Sequence, residues 1–512
     1  MNLKWAATLK TVQEGLDSGE IIKLMGRPEN VDPAYTRSIA RTKRFLERWT
    51  ADPKFRELAA IDPQEACEQY QLKADPEEIR LLWDQGELKR KKDNEPTPLA
   101  VRRYESFIRE KLEWRDIIRK DSHPSNPPFK NWRIRQIYRS FSELGMIKAH
   151  GIVHAPVVFE LSKGCSVGCW FCGVAAPKLG DIWQYTERNA KFWRECLEVV
   201  KSIIGPAAAR GFCYWASDPF DNPEYEKFLI DFHDILNNFP QTTTAIPQRN
   251  FDRTREFLAL SESKQGLLER FSILSLGQLQ KVFNAFTAEE LLYVELVTQN
   301  KGALTGKAVA GRARLPKFKK LIDKTMKYVD PTLTSTIACV SGFLFNMVDQ
   351  KVKLISPCNA NDKWPLGYYI YDEQPFETPE ELERIMNQMI EDHMVERVGP
   401  GMKFDIRKNL TFSKMDNGFE LSTLTTKHMY LDKPIWQSMG KMFNNGRRIH
   451  DDATIGELAV ELESKYEIPL AESLFYINQM FREGIFSAEP PWRPSPNSES
   501  LVAIETPSTN AL

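Results

Sequence analysis

The chain has 512 residues, enough for more than one domain. Its hydrophobic share of 42% is ordinary for a globular protein, and a formal net charge of -1 excludes a general polyanion binder. Eight cysteines without even spacing argue for a reducing compartment rather than a disulfide framework. Neither a signal-like start nor a run of about 18 apolar residues is found, so a cytoplasmic protein with no membrane partner is expected.

Residues 1 to about 95 read as a small helical domain. After Arg41 to Trp49, segments open at Asp52-Pro, Asp62-Pro and Asp75-Pro, where Asp can cap orphan N–H groups and Pro suits the first helical position. Its role is packing or contact with a peptide or partner. The charges and prolines of Lys89 to Pro98 read as a solvated linker. Residues 96–150 hold two amphipathic helices, Val101 to Lys120 and Asn131 to Leu144.

Residues 151–400 alternate strand and helix. Strands are expected at Val157–Leu161, Gly211–Trp215, Thr242–Ile246, Phe271–Ser275 and Tyr293–Val297. Helices are expected at Thr186–Ile204, Pro223–Leu236 and Arg253–Leu260, and after a Thr287/Glu290 capping box. Such alternation means a parallel sheet with right-handed crossovers, with chemistry on loops at the strands' C-terminal ends.

The first such loop lies in Glu160 to Gly173 and sets Cys165, Cys169 and Cys172 in a C-x3-C-x2-C spacing, with Phe171 before the third cysteine. Three thiolates hold three corners of a 4Fe-4S cube and leave the fourth iron open. A zinc site usually takes four ligands, often as two C-x2-C pairs, and no second pair is present. Idle buried cysteines rarely come three to a loop.

At the end of the second strand stands Ala216-Ser217-Asp218-Pro219, an acid at a strand end or simply a capped turn, which Asp221 or Asn222 already explains. Gln299 to Arg314 is a basic, Gly-rich loop without the P-loop order. It is solvated, or helps to hold a carboxylate.

Thr336 to Asn359 reads as a hairpin about Val348-Asp349, so paired residue numbers sum to 697 and Cys339 faces Cys358. A one-step slip would undo that pairing. The Pro- and Gly-punctuated context of Cys358 suggests a loop lining a site, the alternative being a buried small hydrophobe. Cys67, Cys196 and Cys213 read as core residues.

Residues 401–489 show three short strands, with a hairpin at Asp416-Asn-Gly418, and then three helices, a winged-helix pattern. Glu457, Glu461, Glu463, Glu467 and Glu472 crowd the helices, which excludes phosphate contact and a nucleic-acid partner. Residues 490–512, rich in Pro, Ser, Thr and Glu, read as a disordered tail.

The cysteine motif, Ser217-Asp-Pro-Phe-Asp-Asn-Pro223, the Cys358 segment and the winged-helix end together resemble the radical S-adenosylmethionine (SAM) epimerases that mature proteusin-type ribosomal peptides. The resemblance runs from about residue 100 over most of the chain. It implies an α/β fold, a partial (β/α)6 radical SAM barrel between the N-terminal helical domain and a C-terminal winged-helix-like α+β domain that recognises a leader peptide by strand addition beside its third helix. It also implies one 4Fe-4S cluster on Cys165, Cys169 and Cys172, with SAM on the open iron. Phe171, Gly173, Ala216, Ser217, Asp218 and Ser275 are the implied cofactor contacts, Asp218 standing where many relatives carry the acid of Gly-Gly-Glu-Pro. Electrons would come from a flavodoxin- or ferredoxin-type donor. The SAM-derived radical takes the Cα hydrogen of an L-residue in the precursor peptide, and a thiol, Cys358 first and Cys339 second, returns hydrogen from the opposite face to give the D-residue. Thioether cross-linking would need auxiliary clusters, for which few cysteines remain. A non-catalytic leader-binding protein would hold no iron.

Overall fold

The computed structural model describes residues 19, 21–92, 95–318, 335–444, 453–487 and 489–490. Residues 491–512, most of the expected tail, lie outside them. The chain forms two compact units interleaved along its length: Met1–Lys120, Asp218–Ile230 and Asn238–Lys307 in one, Asp121–Ser217, Asp231–Asn237 and Ala308–Leu512 in the other.

In the first unit the Asp-Pro pairs do what their chemistry suggests. Asp32, Asp52 and Asp62 cap helices Pro33–Ala51, Pro53–Ile61 and Pro63–Gln69 with their side chains. Asp75 also accepts from the Glu77 and Glu78 N–H groups, but only a turn follows, and helix begins at Arg80. These helices bury Phe45, Phe55 and Trp83 in one cluster. A parallel sheet joins Thr243–Thr244, Glu269–Ile273 and Val294–Thr298. A helix that the sequence reading did not anticipate, Leu276–Ala285, packs Leu279 and Val282 against Phe271 and Ile273 of this sheet. The Thr287/Glu290 capping box forms both of its bonds yet starts no helix, because the strand begins at Val294 and leaves no room for one.

In the second unit the strand Ala155–Glu160 is buried at every residue. It pairs in parallel with Val340–Asn346, which continues antiparallel into Lys351–Pro357 and then Tyr368–Pro375. The expected hairpin is therefore no appendage, since its first strand is the partner of the central one. Its loop has four residues, Met347–Gln350, but is centred on Val348-Asp349, so pairs from Gly342–Ile355 to Asn346–Lys351 all sum to 697 as expected.

Two further expectations need correction. The strand at Gly211–Trp215 shrinks to one parallel bridge, Phe212 to Val158. The segment approaches so closely there that a Cβ on Gly211 would lie 2.7 Å from Val157 Cγ1. The parallel strands also fall into two separate sheets, so the described residues form a mixed α/β fold without a closed barrel.

The C-terminal part follows the expected order. Antiparallel strands Thr411–Met415, Gly418–Ser422 and Lys427–Leu431 precede helices Pro434–Asn444, Ile455–Tyr466 and Leu470–Arg482. Phe419, Tyr430, Trp436, Leu458 and Ile477 share its core, and Thr454 with Glu457 closes a capping box. Among the described residues no helix is long and apolar enough to cross a membrane.

Asp52 and Asp62 cap alike but differ in burial. Asp52 also pairs with Arg48 at 3.4 Å, both side chains buried, whereas Asp62 is exposed. Asp52→Ala should cost about 2–4 kcal/mol of unfolding free energy in urea and Asp62→Ala about 1. Equal losses would contradict a role for the buried pair.

Candidate active site

The cysteine loop leaves the C-terminal end of the buried strand Ala155–Glu160. Gly164 turns it with φ of 86°, where an added Cβ would stand 2.3 Å from the Lys178 carbonyl oxygen. The Cys165 N–H donates to Pro177 O at 2.9 Å and the Cys172 N–H to Cys169 O at 3.2 Å, so the loop folds back and gathers its three cysteines. Backbone N–H groups of Val167 and Ala176 point at Cys165 Sγ and Cys172 Sγ, each at 3.4 Å.

Arg312 clamps this loop. Its backbone N–H donates to Cys172 O at 3.0 Å, and its guanidinium donates to Cys169 O at 2.9 Å and to Ala176 O. Gly311 allows that approach, since a Cβ there would meet the Cys172 and Gly173 carbonyl oxygens at 2.4 Å. Burial, then the neighbouring Cys172 and Cys165, push the Cys169 thiol up to about 12, with Arg312 pulling the other way.

Three soft sulfur donors on one loop, with N–H groups aimed at two of them, suit an iron–sulfur cluster, whose sulfurs take such hydrogen bonds. Among the described residues no three His, Cys, Asp or Glu side chains converge on a point as one ion's ligands would. A cube takes its ligands at separate corners, so it makes no such demand; a single zinc would, at about 2.3 Å from each sulfur.

Glu160, which the sequence reading noted only as the start of the motif, links the loop to its surroundings. It is 8% exposed, its Oε1 accepts from the Ala216 N–H at 2.7 Å, and its Oε2 accepts from Asn346 Nδ2 at 3.2 Å. Burial raises its carboxyl to about 7, opposed by the Ala216 hydrogen bond and the nearby Lys353. An apolar cluster joins these parts, with Cys172, Tyr214, Trp215, Ala216 and Cys339 packed around Val158, Phe212 and Tyr368. A charged residue closing an otherwise apolar strand was the available signal for Glu160. For Arg312 only an Arg following a Gly hinted at it.

The other expected contacts lie as follows. Phe171 packs edge-on against Trp170, and Gly173 lies so close under Ile337 that a Cβ would meet Cγ1 at 2.8 Å. Ser217 follows Ala216. Asp218 belongs to the other unit, where its carboxylate accepts from the Phe220 N–H, the Thr244 hydroxyl and the Ala245 N–H, and burial raises it to about 6. Ser275, in that unit too, caps helix Leu276–Ala285.

Cys339 and Cys358 lie beyond the last paired rung of their hairpin, in different clusters. Cys339 is half-buried and shares its cluster with Cys172. Cys358 is 1% exposed against Trp364 and Tyr369, and burial pushes its thiol well up.

The sequence is 40% identical over 407 residues to the uncharacterised protein y4wI of Sinorhizobium fredii, spanning 78% of this chain and 79% of that protein. The chain belongs to the y4wI family. No family model matches it. A solved structure, BtrN in complex with AdoMet and 2-DOIA, covers 39% of this chain and 72% of its own with 10% identity and a TM-score of 0.25, too loose a match to carry an argument.

Because folding raises the Glu160 pKa from 4.5 to about 7, the folded chain keeps a proton that the unfolded chain has released in that interval. The associated stability is full below about pH 4.5 and is lost as pH rises through 7. In Glu160→Gln the fall in unfolding free energy between about pH 5 and pH 8 should shrink by roughly 2 kcal/mol. An unchanged pH profile in denaturant titrations would contradict this.

Proposed function

We propose that the protein is a radical SAM enzyme that converts L- to D-residues in a ribosomally made precursor peptide. The observation that supports this reading is the gathered loop of Cys165, Cys169 and Cys172, with N–H groups aimed at two of its sulfurs. Three thiolates leave one corner of a four-iron cube for a ligand from outside the chain. When bound, the cluster with SAM supplies one-electron chemistry strong enough to remove a Cα hydrogen.

The chain's own residues do the rest. Arg312 and Gly311 hold the cysteine loop, and Glu160 fixes the Ala216 backbone, which leads into Ser217. Trp215 and Tyr368, edge to face at 5.7 Å, help keep water from the apolar surroundings of Cys172. Cys339 is the thiol we assign to hydrogen return, because it packs in the Cys172 cluster and is half-buried, whereas Cys358 is enclosed elsewhere. The winged-helix part would hold the leader peptide, for which Lys427–Leu431, an edge strand among the described residues, offers its outer backbone. A flavodoxin- or ferredoxin-type protein would supply two electrons per converted residue, one for SAM cleavage and one that, with a proton from solvent, restores the Cys339 thiol after it has given up its hydrogen.

Anaerobic co-expression with the precursor peptide, transfer to deuterium oxide, chiral amino-acid analysis and mass spectrometry test the reading together. Each new D-residue should carry a single deuterium on Cα, with no other change in peptide mass. Cys339→Ala should still cleave SAM but lose labelled D-residues by at least about tenfold, as expected of an essential donor, while Cys358→Ala keeps them. D-residues carrying only protium would rule out an exchangeable thiol donor.

A further inference from the structure

Away from the cysteine loop, the second unit contains a polar cavity of about 190 Å³ lined by Arg139, Glu143, Asn359, Tyr369, Arg407 and Ser487. Its charges do not balance. Every nitrogen of Arg139 has an acceptor: it donates to Glu143 Oε2 at 2.7 Å, to Ser356 Oγ at 2.9 Å, to Gln136 Oε1 at 2.9 Å and to the Pro357 carbonyl. Arg407 is 4% exposed and donates from Nη2 to Ser142 Oγ at 2.6 Å. Its Nη1 lies 3.7 Å from Glu143 Oε1, beyond hydrogen-bond reach, and neither Nη1 nor Nε has an acceptor among the described residues. Glu143 is thus the near carboxylate of two buried guanidiniums.

Glu489 at the same cavity does not supply the missing charge, because it is held by Lys363 at 2.6 Å and by Trp364 Nε1 at 2.9 Å. Asn359 leaves the complementary gap. Its Nδ2 donates to Glu143 O at 2.9 Å, while its buried Oδ1 receives no donor among the described residues. Buried guanidinium N–H groups without an acceptor and a buried amide oxygen without a donor each cost free energy that a matching ligand would recover.

The cavity asks for negative charge with acceptor oxygens at Arg407 and for an N–H donor at Asn359 Oδ1. Lys408, exposed at the same cavity, adds a second cation, so charge alone does not choose a carboxylate over a phosphate; inorganic phosphate, however, offers no N–H to Asn359 Oδ1, and a nucleotide exceeds the volume. We infer that this cavity binds a carboxylate of a peptide, Arg407 holding the carboxylate oxygens and Asn359 Oδ1 accepting an N–H from the same acidic residue.

The test is isothermal titration of the full-length protein with N-acetyl-Gly-Asp-Gly-amide, its Asn counterpart and sodium acetate. It needs neither cluster nor catalysis, so its outcome is independent of the epimerase reading. The Asp peptide should bind at least about tenfold more tightly than the Asn peptide, the size expected for a charge-assisted hydrogen bond. Arg407→Gln should abolish the preference. Asn359→Ala should weaken the Asp peptide without altering acetate, and it serves as the second variant if Arg407→Gln does not fold. Equal binding of the two peptides, binding of neither, or a preference that survives Arg407→Gln would overturn the proposal. Acetate binding as tightly as the Asp peptide would overturn the peptide assignment.

Discussion

A carboxylate at the end of a strand buried on every residue has to find hydrogen-bond donors within the protein, and that requirement organises the second unit. Glu160 meets it with the Ala216 N–H on one side and Asn346 on the other, while its carbonyl accepts from the Met347 N–H at 3.0 Å. One residue therefore ties the strand that launches the cysteine loop to the 214–217 segment and to the hairpin's first strand. Lose that carboxylate and each of the three loses a shared anchor.

The loop itself is shaped mostly by backbone bonds rather than by the side chains it presents. Gly164 lets it turn, Pro177 and Cys169 carbonyls take its N–H groups, and Arg312 reaches across to the carbonyls of Cys169 and Cys172. The thiols are positioned without having to bond to one another, which leaves them available for soft metal ions. Their burial raises the cost of thiolate at Cys169, a cost that coordination to iron would offset.

Much of this was readable from the sequence where the signal is local. Asp-Pro caps, the Thr454 capping box, the hairpin register about Val348-Asp349 and the strand and helix order of the C-terminal part depend on neighbours a few residues apart. Where the outcome depends on distant partners, the sequence misled or was silent. Gly211–Trp215 has the composition of a strand but yields a single bridge, and helix Leu276–Ala285 takes its meaning from packing on the Glu269–Ile273 and Val294–Thr298 strands. The hairpin keeps the register its turn implies, yet facing numbers do not bring Cys339 and Cys358 into one cluster, because both stand beyond the paired rungs. Arg312, set 140 residues after the cysteines it clamps, was marked only by the Gly before it.

The central claim is that Cys165, Cys169 and Cys172 hold a cluster with one iron open to an outside ligand. Iron analysis and electron paramagnetic resonance of the anaerobically reconstituted, reduced protein, with and without SAM, test it directly. The account predicts about four irons per chain and a spectrum that changes when SAM is added. Tightly bound zinc, no iron, or a cluster signal indifferent to SAM would contradict it.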